Sequence, residues 1–209
     1  MAELEVKHLV VGPVATNCYL AENIETKEAL IVDPGDCADR IISRLQQDGV
    51  KPVAILLTHG HFDHAMAAKE LAEHYQIQIY AHEEEKRTLT TPRINLSGML
   101  GYEVAFYADR FVKDGDILKL AGFEIQVLHT PGHTVGGVCY YLEKEKVLFS
   151  GDTLFCQSVG RTDFPEGSAS TLIRSIKEKL MPLPDDTVVY TGHEDMTRIG
   201  IERQYNPFL

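Results

Sequence analysis

The chain has 209 residues, 44% of them hydrophobic and 24% charged, and at this size folding buries roughly 70% of the unfolded surface, so a core forms without disulfide staples. Its 20 basic and 31 acidic residues leave a net charge of −11, a field that repels phosphate backbones and anionic headgroups, and no run of Lys or Arg forms a basic patch against it. Collagen, coiled coil, disordered tail and secreted disulfide scaffold are excluded by composition.

Met1-Ala2-Glu3-Leu4-Glu5 has neither the basic nor the apolar part of a signal peptide, and no segment approaches the ~18 apolar residues of a spanning helix. The expectation is a cytoplasmic protein with no nucleic-acid or membrane partner. Four scattered cysteines, Cys18, Cys37, Cys139 and Cys156, lack CxxC spacing and read as reduced thiols, mostly buried. Nothing marks a domain boundary, so one domain over 1–209 is expected.

In chain order, strands are predicted over 4–11, 15–21 and 28–32, with Gly12-Pro13 as the first turn. Ile41, Ile42 and Leu45 recur at helical spacing over 38–47, and Gly49 follows as a C-terminal cap would. The apolar run 53–57 suits a strand buried on both faces. A helix over 65–74 and a strand over 77–81 follow. The stretch 82–109 has a charged, helix-like start, yet Thr91-Pro92 and Ser97-Gly98 break any long element, and it reads as an insertion bordering a site. Strands return at 117–120, 123–128, 138–142 and 146–150, the last two as a hairpin, before a helix over 170–180 and a strand over 187–190. Two sheets with helices outside is the natural packing for this order.

Thr58-His59-Gly60-His61-Phe62-Asp63-His64 follows the buried strand. Positions two apart in extended chain point the same way, so His59 and His61 can present their rings to one metal. A helix starting near Asp63 would turn Asp63 and His64 toward a neighbouring point, so one loop can serve two metals. One loop cannot complete two sites, and the remaining candidates lie at other strand ends beside glycines: Gly132-His133, Gly151-Asp152 and Gly192-His193. Singly each would be a turn residue; with the His-rich loop they make a site.

This set, with Asp33 in an early position, resembles the metallo-β-lactamase superfamily. Gly12-Pro13, Asn17-Cys18-Tyr19-Leu20, Thr130-Pro131-Gly132-His133-Thr134, Ser150-Gly151-Asp152-Thr153-Leu154-Phe155 and Asn206-Pro207-Phe208-Leu209 are similar to its glyoxalase II-like branch. The resemblance covers the whole chain and implies a mixed α/β fold, a four-layer αββα sandwich with the site at the edge between two sheets. It implies that His59, His61 and His133 hold one divalent ion, that Asp63, His64 and His193 hold a second, and that Asp152 bridges both, with Asp33 hydrogen-bonding the His-rich loop from behind. Zinc is the first expectation, iron or manganese the alternatives, because these ligand types suit zinc and iron alike. Two carboxylates among seven ligands leave two divalent ions with a charge near +2, suited to thioester hydrolysis by a metal-bridging hydroxide that Asp63 orients.

Full-length glyoxalase II enzymes recognise glutathione through a Lys after the bridging Asp, tyrosines, and a C-terminal helical domain. Here Arg161 stands where that Lys would be, Asp163 and Asp195 lie where tyrosines are expected, and the short tail leaves no room for the helical domain. Arg161 either contacts substrate or pairs with Asp163. A smaller or different thioester is the expected substrate. Persulfide dioxygenases of the same superfamily share these positions and a similar Gly-Arg-Thr-Asp segment but use one iron, with His59, His133 and Asp152 as its ligands; they are the alternative. A non-catalytic metal-binding module, a β-lactamase (the nearest thiol, Cys156, lies beyond the bridge position) and a nuclease are weaker readings.

Overall fold

The computed structural model describes residues 3–101 and 103–209. The first half builds a six-stranded sheet from β1 (Leu4–Val11), β2 (Thr16–Asn23), β3 (Glu28–Val32), β4 (Lys51–Leu56), β5 (Gln78–His82) and β6 (Arg110–Val112), in that spatial order. Its first three strands are antiparallel; β3 through β6 run parallel. Parallel neighbours require crossovers, supplied by α1 (Ala38–Asp48), by α2 (Phe62–Ala65) with α3 (Ala68–Tyr75), and by the 83–109 segment, which carries the short helix α4 (Lys86–Thr90). The second half adds β7 (Ile117–Leu120), β8 (Phe123–His129), β9 (Val138–Leu142), β10 (Val147–Gly151), a small hairpin of β11 (Leu154–Phe155) and β12 (Ser158–Val159), then β13 (Val188–Thr191) and β14 (Thr197–Arg198). The second sheet is ordered β14-β13-β10-β9-β8-β7, and its one parallel pair, β10 with β13, is connected through α5 (Ala169–Ser175). A last helix, α6 (Ile199–Tyr205), closes the chain.

Period-two alternation assigns each strand's side chains to one of three cores. Leu30, Val32, Leu56, Phe123, Tyr140 and Phe149 meet between the sheets. Their neighbours Ile31, Ile55 and Leu20 point the other way, against Ile41 and Leu45 of α1 and Leu71 of α3. On the far side Cys139, Tyr141 and Leu148 pack on Leu172 of α5 and Ile199 of α6. The layers are therefore helix, sheet, sheet, helix, and each fully buried Leu or Ile contributes about 1.5–3 kcal/mol. All four cysteines are free thiols, Cys18 and Cys139 buried. Among the described residues no helix is long and apolar enough to cross a membrane.

The expected elements are present with edges shifted by a few residues. The helix expected over 65–74 is instead two, because the chain turns at Met66-Ala67 between α2 and α3. The helix expected over 170–180 narrows to α5 and finishes in a wider π turn, Ile176–Leu180. Sequence reading gave no signal for β6, β11, β12, β14 or α6.

One core-edge residue carries a pH dependence. Glu22 of β2 is 3% exposed, lies opposite Glu5 in the β1–β2 ladder, and has a carboxylate oxygen without a hydrogen-bond partner. Burial and the negative charge of Asp48 push its carboxyl up to about 7, against the pull of Lys7. The folded state therefore holds this proton more tightly than the unfolded state, so Glu22 contributes most below its unfolded value near 4.5, and that contribution is lost as pH rises toward 7. Relative to Glu22→Gln, the native chain should lose on the order of 2 kcal/mol of unfolding free energy between pH 4.5 and 7.5. Denaturant melts of both proteins across that range measure it; parallel pH profiles would refute it.

Candidate metal centre

The candidate residues gather at one end of the sandwich because five strands stop there. β3 runs into Asp33, β4 into the 58–64 loop, β8 into the turn carrying His133, β10 into Asp152, and β13 into Gly192-His193. α2 begins at Phe62, so the chain changes direction between His61, which is still extended, and Asp63. The one loop thus aims at two points, as its sequence predicts.

Asp33 holds that loop. Its Oδ1 accepts the Thr58 backbone N–H at 2.7 Å; its Oδ2 accepts the Thr58 hydroxyl at 2.6 Å and His64 Nδ1–H at 3.0 Å. The Thr58 hydroxyl, donating to Asp33, is left to accept from His59 Nδ1, 3.1 Å away. One carboxylate thus fixes the ring orientation of two histidines and leaves their Nε2 atoms facing the site. Asp33 does so from φ +50°, a left-handed backbone uncommon outside glycine. His133 is oriented separately, its Nδ1–H donating to the Arg161 carbonyl at 2.7 Å. Asn17 of β2 steadies the last loop through its side-chain amide, which donates to the carbonyls of Thr191 and Glu194 at 3.0 and 2.9 Å. The Thr16 hydroxyl donates to Asp63 Oδ2 at 3.1 Å. None of these backbone partners could be found from residue types.

Two donor groups result. The rings of His59, His61 and His133 lie mutually 4.7–4.8 Å apart and nearly perpendicular, at 83–87°, with His61 Nδ1 2.9 Å from His133 Nε2. In the other group His64 Nε2 stands 3.4 Å from His193 Nε2 and 3.6 Å from Asp63 Oδ2, and His193 Nε2 stands 3.3 Å from Asp63 Oδ2. Asp152 lies between the groups, with Oδ1 3.3 Å from His64 Nε2 and Oδ2 3.5 Å from His133 Nε2 and 3.6 Å from His193 Nε2. Two donors each about 2.1 Å from a tetrahedral ion lie about 3.4 Å apart, so these spacings fit one ion per group. His59 Nε2 is buried without a hydrogen bond, as a metal-facing lone pair would be.

The electrostatics agree with a cation site. Burial, aided by the neighbouring histidines, holds His59 well below the usual imidazole range and His61 down to about 3, so both rings are neutral and can donate lone pairs. Burial acts the same way on His64, but Asp152, Asp63 and Asp33 outweigh it and hold that ring well above its ordinary range. Burial would raise Asp152, yet His64, His133 and His59 keep its carboxyl well below the carboxylate range. The second group is thus built around positive charge.

The profile of the metallo-beta-lactamase superfamily matches residues 11–193. The chain belongs to the metallo-beta-lactamase superfamily. Hydroxyacylglutathione hydrolase GloC of Haemophilus influenzae is 43% identical over 196 residues, covering 92% of each chain. Among solved structures, the BLEG-1 B3 metallo-beta-lactamase superposes with a TM-score of 0.93 at 43% identity over 98% of this chain and 99% of that one. TTHA1623 in a di-iron-bound form gives 0.87 at 36% over 97% and 100%, and ETHE1 from Myxococcus xanthus 0.82 at 29% over 97% and 83%. Its relatives make this superfamily member a metal-dependent hydrolase in broad class, with a His/Asp cluster able to hold metal.

In this metallo-beta-lactamase superfamily chain the two donor groups floor a cleft of about 400 Å³. Its walls are mostly apolar, from Val14, Phe62, Leu96, Phe155, Val159 and Phe164. Leu96 comes from the 82–109 stretch, which therefore does border the site. Arg161 lines the cleft too, but its guanidinium is already committed: it donates two bonds to Asp163 at 2.8 and 2.7 Å and sits 4.0 Å over the Phe164 ring. Of the two roles expected for Arg161, the pairing with Asp163 is the one formed. Outside the cleft, His82, Glu84 and His129 also cluster, yet the two rings stack at 4.1 Å and 13°. His82 Nδ1 there already accepts the Glu84 N–H at 3.3 Å, and His129 Nε2 lies 3.0 Å from the Val135 carbonyl.

Proposed function

We propose that the protein hydrolyses thioesters in the manner of glyoxalase II, using two divalent ions, zinc before iron or manganese, held by His59, His61 and His133 and by Asp63, His64 and His193, with Asp152 shared. The observation that carries this reading is the position of Asp152, within 3.6 Å of donors from both groups at the floor of an apolar cleft. Ions bound there would lower the pKa of water toward ~7 and polarise a carbonyl. The chain's own part is positional. Asp63, anchored by Thr16, holds a carboxylate oxygen where an attacking water's proton can be accepted. Phe62, Phe155 and Phe164 exclude bulk water from the acyl group, and a departing thiolate, with a thiol pKa near ~8.5, needs no strong acid. Asp163 occupies Arg161, which argues for a small thioester rather than one recognised by its glycine carboxylate.

Persulfide oxidation at one iron held by His59, His133 and Asp152 is the second reading. It is favoured by the 3.5 Å approach of His133 Nε2 to Asp152 and by the fold likeness to ETHE1. Protein reconstituted separately with Zn2+, Fe2+ and Mn2+ should be assayed on S-lactoylglutathione, S-lactoyl-N-acetylcysteamine, nitrocefin and, with an oxygen electrode, glutathione persulfide. Thioester turnover with kcat/KM of about 10⁴ M⁻¹ s⁻¹ or more is expected, with the small thioester at least equal to the glutathione one and the β-lactam far behind. Oxygen uptake at one iron per chain, without thioester turnover, would establish the second reading instead.

A further inference from the structure

In the acidic run Glu83-Glu84-Glu85 the last member is fully buried while Glu83 and Glu84 stay exposed. Glu85 closes the short 3-10 turn that follows β5. Its Oε2 accepts the Gly60 backbone N–H at 2.7 Å, and its Oε1 accepts the Gly136 backbone N–H at 2.9 Å. Gly60 lies between His59 and His61; Gly136 lies three residues after His133. One carboxylate therefore spans the two loops that supply the three-histidine group.

Both glycines are pressed onto it. A Cβ on Gly60 would stand 2.7 Å from Glu85 Oε2, and a Cβ on Gly136 would stand 2.6 Å from the Glu85 nitrogen and 2.9 Å from its Cγ. Burial pushes this carboxyl up, while the Thr134 side chain, the Gly136 and Gly60 N–H groups and the Thr88 side chain pull it back. Two N–H groups facing one side chain from opposite loops require two acceptors, which a carboxylate has and a carboxamide lacks: glutamine would turn its NH2 against one N–H or the other.

We propose that Glu85 is a positioning residue that sets the spacing of the 58–64 and 130–137 loops and thereby the metal affinity of the His59/His61/His133 group. The proposal rests on the reading of that group as a metal site but not on any substrate. Metal-free protein is titrated with Zn2+ against a chromophoric chelator, with no thioester present; the binding step that Asp63→Ala abolishes is assigned to the other group. Glu85→Gln should weaken the three-histidine step by about 10- to 100-fold and the other step by less than about threefold. Glu85→Asp, which keeps two acceptors on a shorter stem, should fall between, and Glu83→Gln, an exposed neighbour paired with Lys113, should match the native protein. A merely structural Glu85 would instead weaken both steps equally. That result, unchanged affinities in both Glu85 variants, or native protein binding no ion at the three-histidine group would overturn the proposal. A native protein that binds zinc normally yet ignores every thioester would sink the hydrolase reading alone.

Discussion

On the proposed two-ion reading, Asp152→Asn should fold and yet lose at least one ion. Among the described residues Asp152 is the one side chain whose oxygens reach both donor groups, so the substitution removes an anionic donor from each at once. An asparagine offers a single neutral oxygen, and its NH2 would face the nitrogens of His64 or His133, which have no lone pair to accept it once they bind an ion. The charge is lost as well. His64 is held above its ordinary range in large part by Asp152, and an ion in that group would lose the same attraction. The expected outcome is a drop from two ions per chain to one or fewer and a fall in kcat/KM of about 10³-fold, since weakened ligation costs about 10- to 100-fold and a displaced electrophile about 10²-fold or more. Asp63→Ala strikes the second group only, so it should retain one ion and lower kcat far more than it raises KM. Metal analysis beside steady-state kinetics measures both variants. An Asp152→Asn protein with two ions and turnover within about fivefold of native would refute the bridging role.

How far this centre could be read from sequence follows from what signals the chain carries. His59, His61, Asp63 and His64 were legible because four donor residues follow an apolar strand in one short loop, and His133, Asp152 and His193 because each follows a strand beside a glycine. The structure brings all seven within reach of two points. Glu85 was not legible: it sits in an acidic run, and its partners are backbone N–H groups, which every residue but proline possesses. Arg161 was singled out for its side chain, whereas its carbonyl is what orients His133. Strands β6, β11, β12 and β14 have two or three residues each, too few for a period of two to show. Among its described residues the 82–109 stretch likewise holds one short helix and two 3-10 turns, and none is long enough to carry an amphipathic pattern. Strand β2 is buried along all eight residues, so polar Thr16, Asn17 and Asn23 in it mark hydrogen-bonding duties rather than a solvent face.

Gly35→Ala should disable the site from a distance, and the reason is space rather than backbone conformation. Gly35 has no positive φ, but a Cβ there would stand 1.5 Å from the Asp63 carbonyl oxygen and 2.6 Å from its carbon. Both are backbone atoms of α2, with no flexible end to swing aside, so either the turn after β3 or the start of α2 must move by more than an ångström. The turn carries Asp33 two residues earlier, whose carboxylate holds Thr58 and His64; α2 carries Asp63 and His64 themselves. Whichever moves, the donors of the second group separate from those of the first. A loss of about 3 kcal/mol of stability and of at least about 100-fold in kcat/KM is expected. Gly49→Ala supplies the contrast, because Gly49 caps α1 at φ +66° with nothing within 4 Å. It should lower stability by about 1 kcal/mol through left-handed backbone strain alone and leave turnover unchanged. Denaturant melts and kinetics on the two variants separate the causes: if Gly35→Ala costs no more than Gly49→Ala in both measurements, the close packing of the β3 turn against the His-rich loop does not hold the centre together.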